Sequence, residues 1–275
     1  GNSASALAHI ASAGPQHAQR VAQVPGALAT LVLTVATGNA AAAPRFQFAD
    51  AGSARVLAHI ASAGPEFVEQ IMEVPGATET LVAAVAAGGA AAMPNVQASA
   101  GNSASALAHI ASAGPQHARR VAQVPGALAT LAVTVATGNA AAAPRLQFAD
   151  AGSARVLAHV ASTDPQHAWR VAEVPGVLAT LIATVEAGGA AAAPSLQKAA
   201  ASSASALSHI ASAGVELVER VAEVPGVLAT LVAAVAAGGA AADPSLQAVA
   251  ASSARVLAYI PPAGPELVGR VAEVP

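Results

Sequence analysis

A block of fifty residues recurs along the whole chain, and no other feature of the sequence constrains the fold as tightly. Gly1–Asp50 and Gly101–Asp150 differ only at Gln19/Arg119, Val32/Ala132, Leu33/Val133 and Phe46/Leu146. Ala51–Ala100, Ala151–Ala200 and Ala201–Ala250 follow the same template, and Ala251–Pro275 is a sixth, partial copy. Self-similarity at a fixed period means one supersecondary unit stacked on itself, each copy burying the apolar face its neighbour leaves open. The expected organisation is a single elongated repeat domain over residues 1–275. Because it opens and stops inside a repeat, the chain reads as a fragment of a longer one.

The chain is 55% hydrophobic but only 2% aromatic, so alanine supplies much of the apolar surface and each unit's core is thin. A buried methylene-sized group is worth about 0.8 kcal/mol, and stability has to accumulate over many neighbour interfaces. The net charge of −3 provides no basic field for a polyanion, and aromatics for base stacking are scarce, which argues against nucleic acid as a partner. With no cysteine there is no disulfide framework and no thiolate metal site. That absence, with no visible signal or transmembrane segment, favours a cytoplasmic location. Val21–Pro44 carries no charge, yet Pro25, Gly26, Gly38 and Asn39 interrupt it. The unbroken part, Ala27–Thr37, makes a helix of roughly 17 Å against about 30 Å of hydrocarbon. A buried helix is expected there rather than a membrane span.

Proline punctuates each unit three times, in the first at Pro15, Pro25 and Pro44. Proline suits a helix's first turn and breaks its interior, so three helices per unit are expected. The first is short, Pro15 to Gln23. The second runs from Gly26 to about Thr37, apolar on most sides. The Gly-Ala stretch Gly38–Ala43 reads as a helix end followed by loop or a frayed turn. The third starts near Pro44 and runs to about Ser62, with Gly52 costing up to about 1 kcal/mol relative to alanine. Asp164 before Pro165 is the one well-formed cap-plus-proline start. On the third helix, Phe46, Ala49, Ser53, Leu57 and Ile60 form a buried stripe at helical spacing, while Phe48, Gly52, Arg55 and His59 fall on another.

The run ALAHIASAGPQHAQRVAQVPGALATLV at Ala6–Val32 resembles the armadillo-repeat family. It has that family's Ala-Leu-x-Asn-Ile-Ala third-helix end, a short first helix, then Gly-Ala-Leu and a Leu-Val second helix. PSLQKAAASSASALSHIAS at Pro194–Ser212 resembles the family's third helix from its Val-Gln start onward. The period of fifty exceeds the family's usual forty-odd. His9, His59, His109, His159 and His209 stand where the family usually has asparagine. HEAT repeats, with two helices rather than three, are the alternative. The resemblance implies a right-handed superhelical α-solenoid of three-helix repeats whose third helices line a concave groove for an extended peptide or a partner's helix. In nuclear-import adaptors of this fold a tryptophan lies four residues before the asparagine. Here that position holds Ser5, Arg55, Ser105, Arg155, Ser205 and Arg255, which argues against that role.

Candidate contacts follow from the stripe. Neutral imidazoles donate and accept one hydrogen bond each, much as asparagine does. The histidine ladder His59, His109, His159 and His209 therefore reads either as groove contacts or as stitching to neighbouring loop carbonyls. Metal binding is disfavoured: adjacent helices pack about 8–10 Å apart, too far for neighbouring imidazoles to share an ion readily. Arg55, Arg155 and Arg255 recur every second repeat, one turn before the histidine or Tyr259, with Phe48, Phe148 and Lys198 on the same stripe. Arginine and aromatic anchors are typical of interface hot spots, so an acidic or phosphorylated extended segment is the candidate ligand, against solvated arginines that keep an alanine-rich rod soluble. Arg20, Arg120, Arg170, Arg220 and Arg270 mark the first helices as a structural or surface ladder, and Trp169 is a lone candidate contact.

For an enzyme there is no phosphate-cradling glycine loop, no nucleophile elbow and no metal-protease histidine pair. Only four aspartates occur: Asp50, Asp150, Asp164 and Asp243. The expectation is a non-enzymatic, cofactor-free scaffold that binds a protein or peptide. The alternative is a structural rod or spacer of a larger assembly, associating end to end with its own kind.

Overall fold

The computed structural model describes residues 2–40, 44–89, 92–140, 144–239 and 243–263. They form sixteen α-helices and no strand. The first helices of the repeats are α2 (Pro15–Ala22), α5 (Pro65–Glu73), α8 (Pro115–Gln123), α11 (Pro165–Ala172) and α14 (Val215–Ala222). The second helices are α3 (Ala27–Ala40), α6 (Ala77–Ala87), α9 (Ala127–Ala140), α12 (Val177–Ala187) and α15 (Val227–Gly239). The third helices are α1 (Asn2–Ser12), α4 (Pro44–Ala63), α7 (Pro94–Ser112), α10 (Pro144–Ala161), α13 (Pro194–Ser212) and α16 (Pro244–Ala263). The chain divides into two compact units, residues 1–156 and 157–275.

Proline opens first and third helices as expected, at the first turn of α2, α5, α7, α8, α11 and α13. The middle proline does something else. Val24, Pro25, Gly26 and Ala27 form a β-turn closed by the Ala27 N–H on the Val24 carbonyl at 3.0 Å, and the turn recurs at 74–77, 124–127, 174–177 and 224–227. Gly76 has φ 73 and ψ 9, and Gly176 φ 74 and ψ 0. Proline followed by a left-handed glycine is the type II pattern, and the second helix starts at Ala27, one residue beyond the expected Gly26. The turn bends the first helix against the second by 86–92°. No single helix among the described residues is long and apolar enough to cross a membrane, although four such bent pairs reach the length together.

In the first unit the third helices stack side by side, α4 against α1 and α7, and the second helices α3, α6 and α9 form a parallel stack behind them. In the second unit α13 packs on α16 and α12 on α15, with α11 and α14 against the third helices. The expected stripe is the core: Ser53, Leu57 and Ile60 are buried, as are Leu107, Ile110, Leu157, Leu207 and Ile210. The second helices add Leu81, Leu131 and Leu181, each fully enclosed. The side chains of Phe46 and Ala49 lie outside the described residues, while Ala149, one double repeat on, is buried.

Two glycine positions that read as helix-weakening are where backbones meet. A Cβ on Gly152 would lie 2.8 Å from the backbone carbon of Ala104 and 3.0 Å from its oxygen. Glycine there lets α10 rest directly on α7, and this close approach offsets its poor helix propensity. In the intervening repeat Asn102 takes the position and its amide donates to the Ala51 carbonyl at 2.9 Å. In the Gly-Ala stretch, α3 and α9 continue through Gly38 and Gly138 to Ala40 and Ala140; the reason for these glycines is likewise steric. Capping at Asp164 forms as expected: its Oδ1 accepts from the His167 N–H at 2.9 Å, and the His167 ring lies 2.9 Å away. Asp164→Ala should therefore cost about 1 kcal/mol in urea denaturation.

Candidate functional site

The second third-helix stripe faces outward. Arg55, Arg155, Lys198 and Arg255 are exposed, and His59, His109, His159 and His209 are half-buried. Phe148 is 64% exposed and Tyr259 39%, which makes these aromatics open surface rather than core. The side chain of Phe48 lies outside the described residues.

Electrostatics shows which of these groups stand together. Burial first, then the Arg55 guanidinium, holds the His59 imidazole below its ordinary range. His109 is held down by burial, then by Arg155, then by His59. One imidazole thus feels cations contributed by the third helices on both sides, α4 and α10. In the second unit His209 is lowered by burial and then by Arg255. So the structure brings Arg55, His59, His109 and Arg155 into one cluster, and His209 and Arg255 into another. It shows no such meeting for Phe148, Lys198 or Tyr259.

Among the described residues the imidazoles of His59, His109 and His209 have no hydrogen-bond partner. The loop-carbonyl stitch is therefore not made at these three. What recurs instead is a bond to the histidine main chain. Ser62, Ser112 and Ser212 donate their hydroxyls to the carbonyls of His59, His109 and His209 at 2.8, 2.9 and 2.8 Å. The serine satisfies a carbonyl of the last helical turn and leaves the ring free to meet something else. No three His, Asp or Glu side chains converge as metal ligands among the described residues.

Other ladders hold the stack together. Arg120 Nη2 donates to the Met72 carbonyl at 2.9 Å, and Arg220 Nη2 to the Ala172 carbonyl at 3.2 Å. Each guanidinium reaches the end of the preceding first helix, where unpaired carbonyls and the helix dipole favour a cation. Trp169 is only partly exposed, and Arg220 lies over its ring at 5.8 Å, so it serves the contact between α11 and α14.

Residue-by-residue reading missed the buried polar groups. Asp50 accepts from the Ser99 hydroxyl at 2.7 Å through Oδ1 while its Oδ2 has no partner. Burial raises its pKa to about 6 despite that bond. Asp150 is fully enclosed with neither oxygen paired, and burial raises it to about 8. The signal was available: other repeats carry Ala100, Ala200 and Ala250 there. His117 is buried where other repeats have Phe67 and Leu217, with Nε2 3.3 Å from a Glu69 oxygen and Nδ1 unpaired.

No family model matches the sequence and no curated protein does. Solved structures match over nearly the whole chain. A designed armadillo repeat protein superposes with a TM-score of 0.70 at 20% identity, over 93% of this chain and 92% of its own. A computationally designed armadillo repeat protein for modular peptide recognition gives 0.70 at 19% identity, over 94% and 92%. A designed armadillo repeat protein in complex with the peptide (KR)4 gives 0.67 at 21%, over 93% and 91%. At these identities the likeness is one of fold. The chain is an all-α solenoid of the armadillo type, with three helices per repeat rather than the two of HEAT repeats.

Proposed function

We propose that the chain is a non-enzymatic scaffold that binds an extended, acidic protein segment in a groove lined by its third helices. The observation that carries this reading is the cluster Arg55, His59, His109 and Arg155. Its groups are solvent-accessible, one sign of charge predominates, and among the described residues the imidazoles of His59 and His109 make no hydrogen bond. The designed relative that holds (KR)4 supports peptide capture on this fold. That peptide is basic, whereas the stripe here is cationic and complements the opposite charge. A main-chain segment would meet imidazoles that both donate and accept, and its carboxylates would meet guanidiniums in bidentate pairs.

The test is fluorescence anisotropy with labelled hexaglutamate. The Arg55→Ala, Arg155→Ala, Arg255→Ala variant should bind about tenfold more weakly per arginine contacting the peptide, and wild-type binding should weaken with salt. Unchanged affinity in the variant would remove the stripe from the account.

A further inference from the structure

Arg55 and His59 lie one turn apart on α4, α4 packs on α7, which carries His109, and α10 meets α7 at Gly152 against Ala104, one turn before Arg155; His109 thus stands between His59 and Arg155, whose charges both act on it. All four are cations when protonated. Carboxylates do occur on adjoining elements, Glu66, Glu69 and Glu73 on α5 and Glu79 on α6, but none is among the groups that set the charge of either imidazole. Neither are the cations and histidines of the other packed elements: His9 on α1, His17 and Arg20 on α2, and His117, Arg119 and Arg120 on α8. The cluster is cationic with no carboxylate answering it, and the two central rings lack hydrogen-bond partners among the described residues. The pair His209 and Arg255 repeats the arrangement in the second unit.

We infer that the histidines of this stripe make capture of an acidic segment proton-linked, so that the protein takes up protons on binding and holds its ligand more tightly as the pH falls. This rests on the groove reading above.

The physical reason is a change of neighbours. In the free protein the arginines oppose protonation of His59, His109 and His209, and burial adds to the effect. A bound carboxylate pairs with the guanidiniums, cancels their repulsion and attracts the imidazolium directly. The protonated form is then favoured in the complex relative to the free protein. By linkage, whatever raises proton affinity on binding is itself bound more tightly where the proton is available. Glutamate side chains, with an ordinary pKa near 4.3, stay ionised across the imidazole range, so the ligand's own charge does not set the profile. An imidazole whose pKa rises by one pH unit on binding contributes about tenfold in affinity across its titration.

The test uses labelled hexaglutamate with the full chain at pH 5.5, 6.5 and 7.5, together with NMR titration of the imidazoles in the free and bound states. Wild type should gain about tenfold or more in affinity between pH 7.5 and 5.5, and His109 should titrate at higher pH when the peptide is bound. His59→Asn, His109→Asn, His209→Asn retains hydrogen-bonding side chains but cannot titrate; whatever its affinity at pH 7.5, the ratio of its affinities at pH 5.5 and 7.5 should fall to near one. Circular dichroism verifies that the variant folds. Binding that is indifferent to pH, or equally pH-dependent in the variant, overturns the proton linkage and leaves the groove reading standing. No binding at any pH overturns both.

Discussion

Asp150→Ala should stabilise the protein by about 3–4 kcal/mol at pH 7 and leave it nearly unchanged at pH 4. The Asp150 carboxyl is enclosed with neither oxygen paired, and burial raises its pKa from 3.8 to about 8. Below pH 3.8 the folded and unfolded states are both protonated there and the group costs little. Between pH 3.8 and 8 the unfolded chain releases the proton and the folded chain keeps it. The unfolded state then binds fewer protons, and stability falls as pH rises by about 1.4 kcal/mol per pH unit. Above pH 8 the penalty levels off. At pH 7 it stands near 4 kcal/mol, from which the space left by the removed carboxyl subtracts up to about 1 kcal/mol. Alanine is the residue that the repeats already use at 100, 200 and 250. Asp50, raised to about 6, adds a similar slope over a shorter range that ends two pH units earlier, so Asp150→Ala should leave a residual decline only up to about pH 6. Urea denaturation from pH 4 to 9 measures both. Equal stability of wild type and Asp150→Ala at pH 8 would show that the carboxylate finds compensation on ionising.

Gly188→Val should destabilise by about 3 kcal/mol, although Gly188, the C-cap of α12, has a negative φ open to any residue. A Cβ on Gly188 would fall well inside van der Waals contact with the Ala200 Cβ and 3.1 Å from the Leu196 carbonyl oxygen. Gly88 faces Ala100 and Gly238 faces Ala250 in the same way. Forcing extra carbons into a filled contact costs about 1–3 kcal/mol. The clash wins because α12 and α13 would have to separate. Gly189, whose Cβ would meet nothing closer than the Glu186 carbonyl at 3.9 Å, is the control: Gly189→Ala should change stability by no more than about 0.5 kcal/mol. Gly188→Ala combined with Ala200→Gly should recover most of the loss caused by Gly188→Ala alone, since the two Cβ positions compete for one space. Urea midpoints at fixed pH decide, and a Gly188→Val as stable as wild type would mean that the layers part freely.

These two cases show where reading the chain succeeds. Helix count, helix order and the buried stripe of Leu57 and Ile60 were legible because periodicity is written along the chain and repeated. Helix starts at Pro15 and Pro44 were legible because proline's ring constrains its own residue. The start of the second helix was legible to one residue, Gly26 against Ala27, whereas the turn before it was not, because it depends on the pair Pro25–Gly26 rather than on proline alone. Gly38 was read as a helix end because that is glycine's commonest use; what sets it is Asp50, twelve residues on and on another helix, facing the same spot. The outward direction of Arg55 and His59 agreed with their helical spacing. That His109 lies between His59 and Arg155 depends on the register of one repeat against the next.

By itself the sequence determined an all-helical repeat, its periodicity, its core stripe and a cationic second stripe, because these follow from spacing along one helix. Only the tertiary structure decided which groups from different repeats meet: Asp150 enclosed without a partner, Gly188 under Ala200, Arg120 on the Met72 carbonyl, and His109 between two neighbours. Those meetings are set by how closely helices approach and at what register. An alanine-rich core leaves that to small differences in side-chain volume.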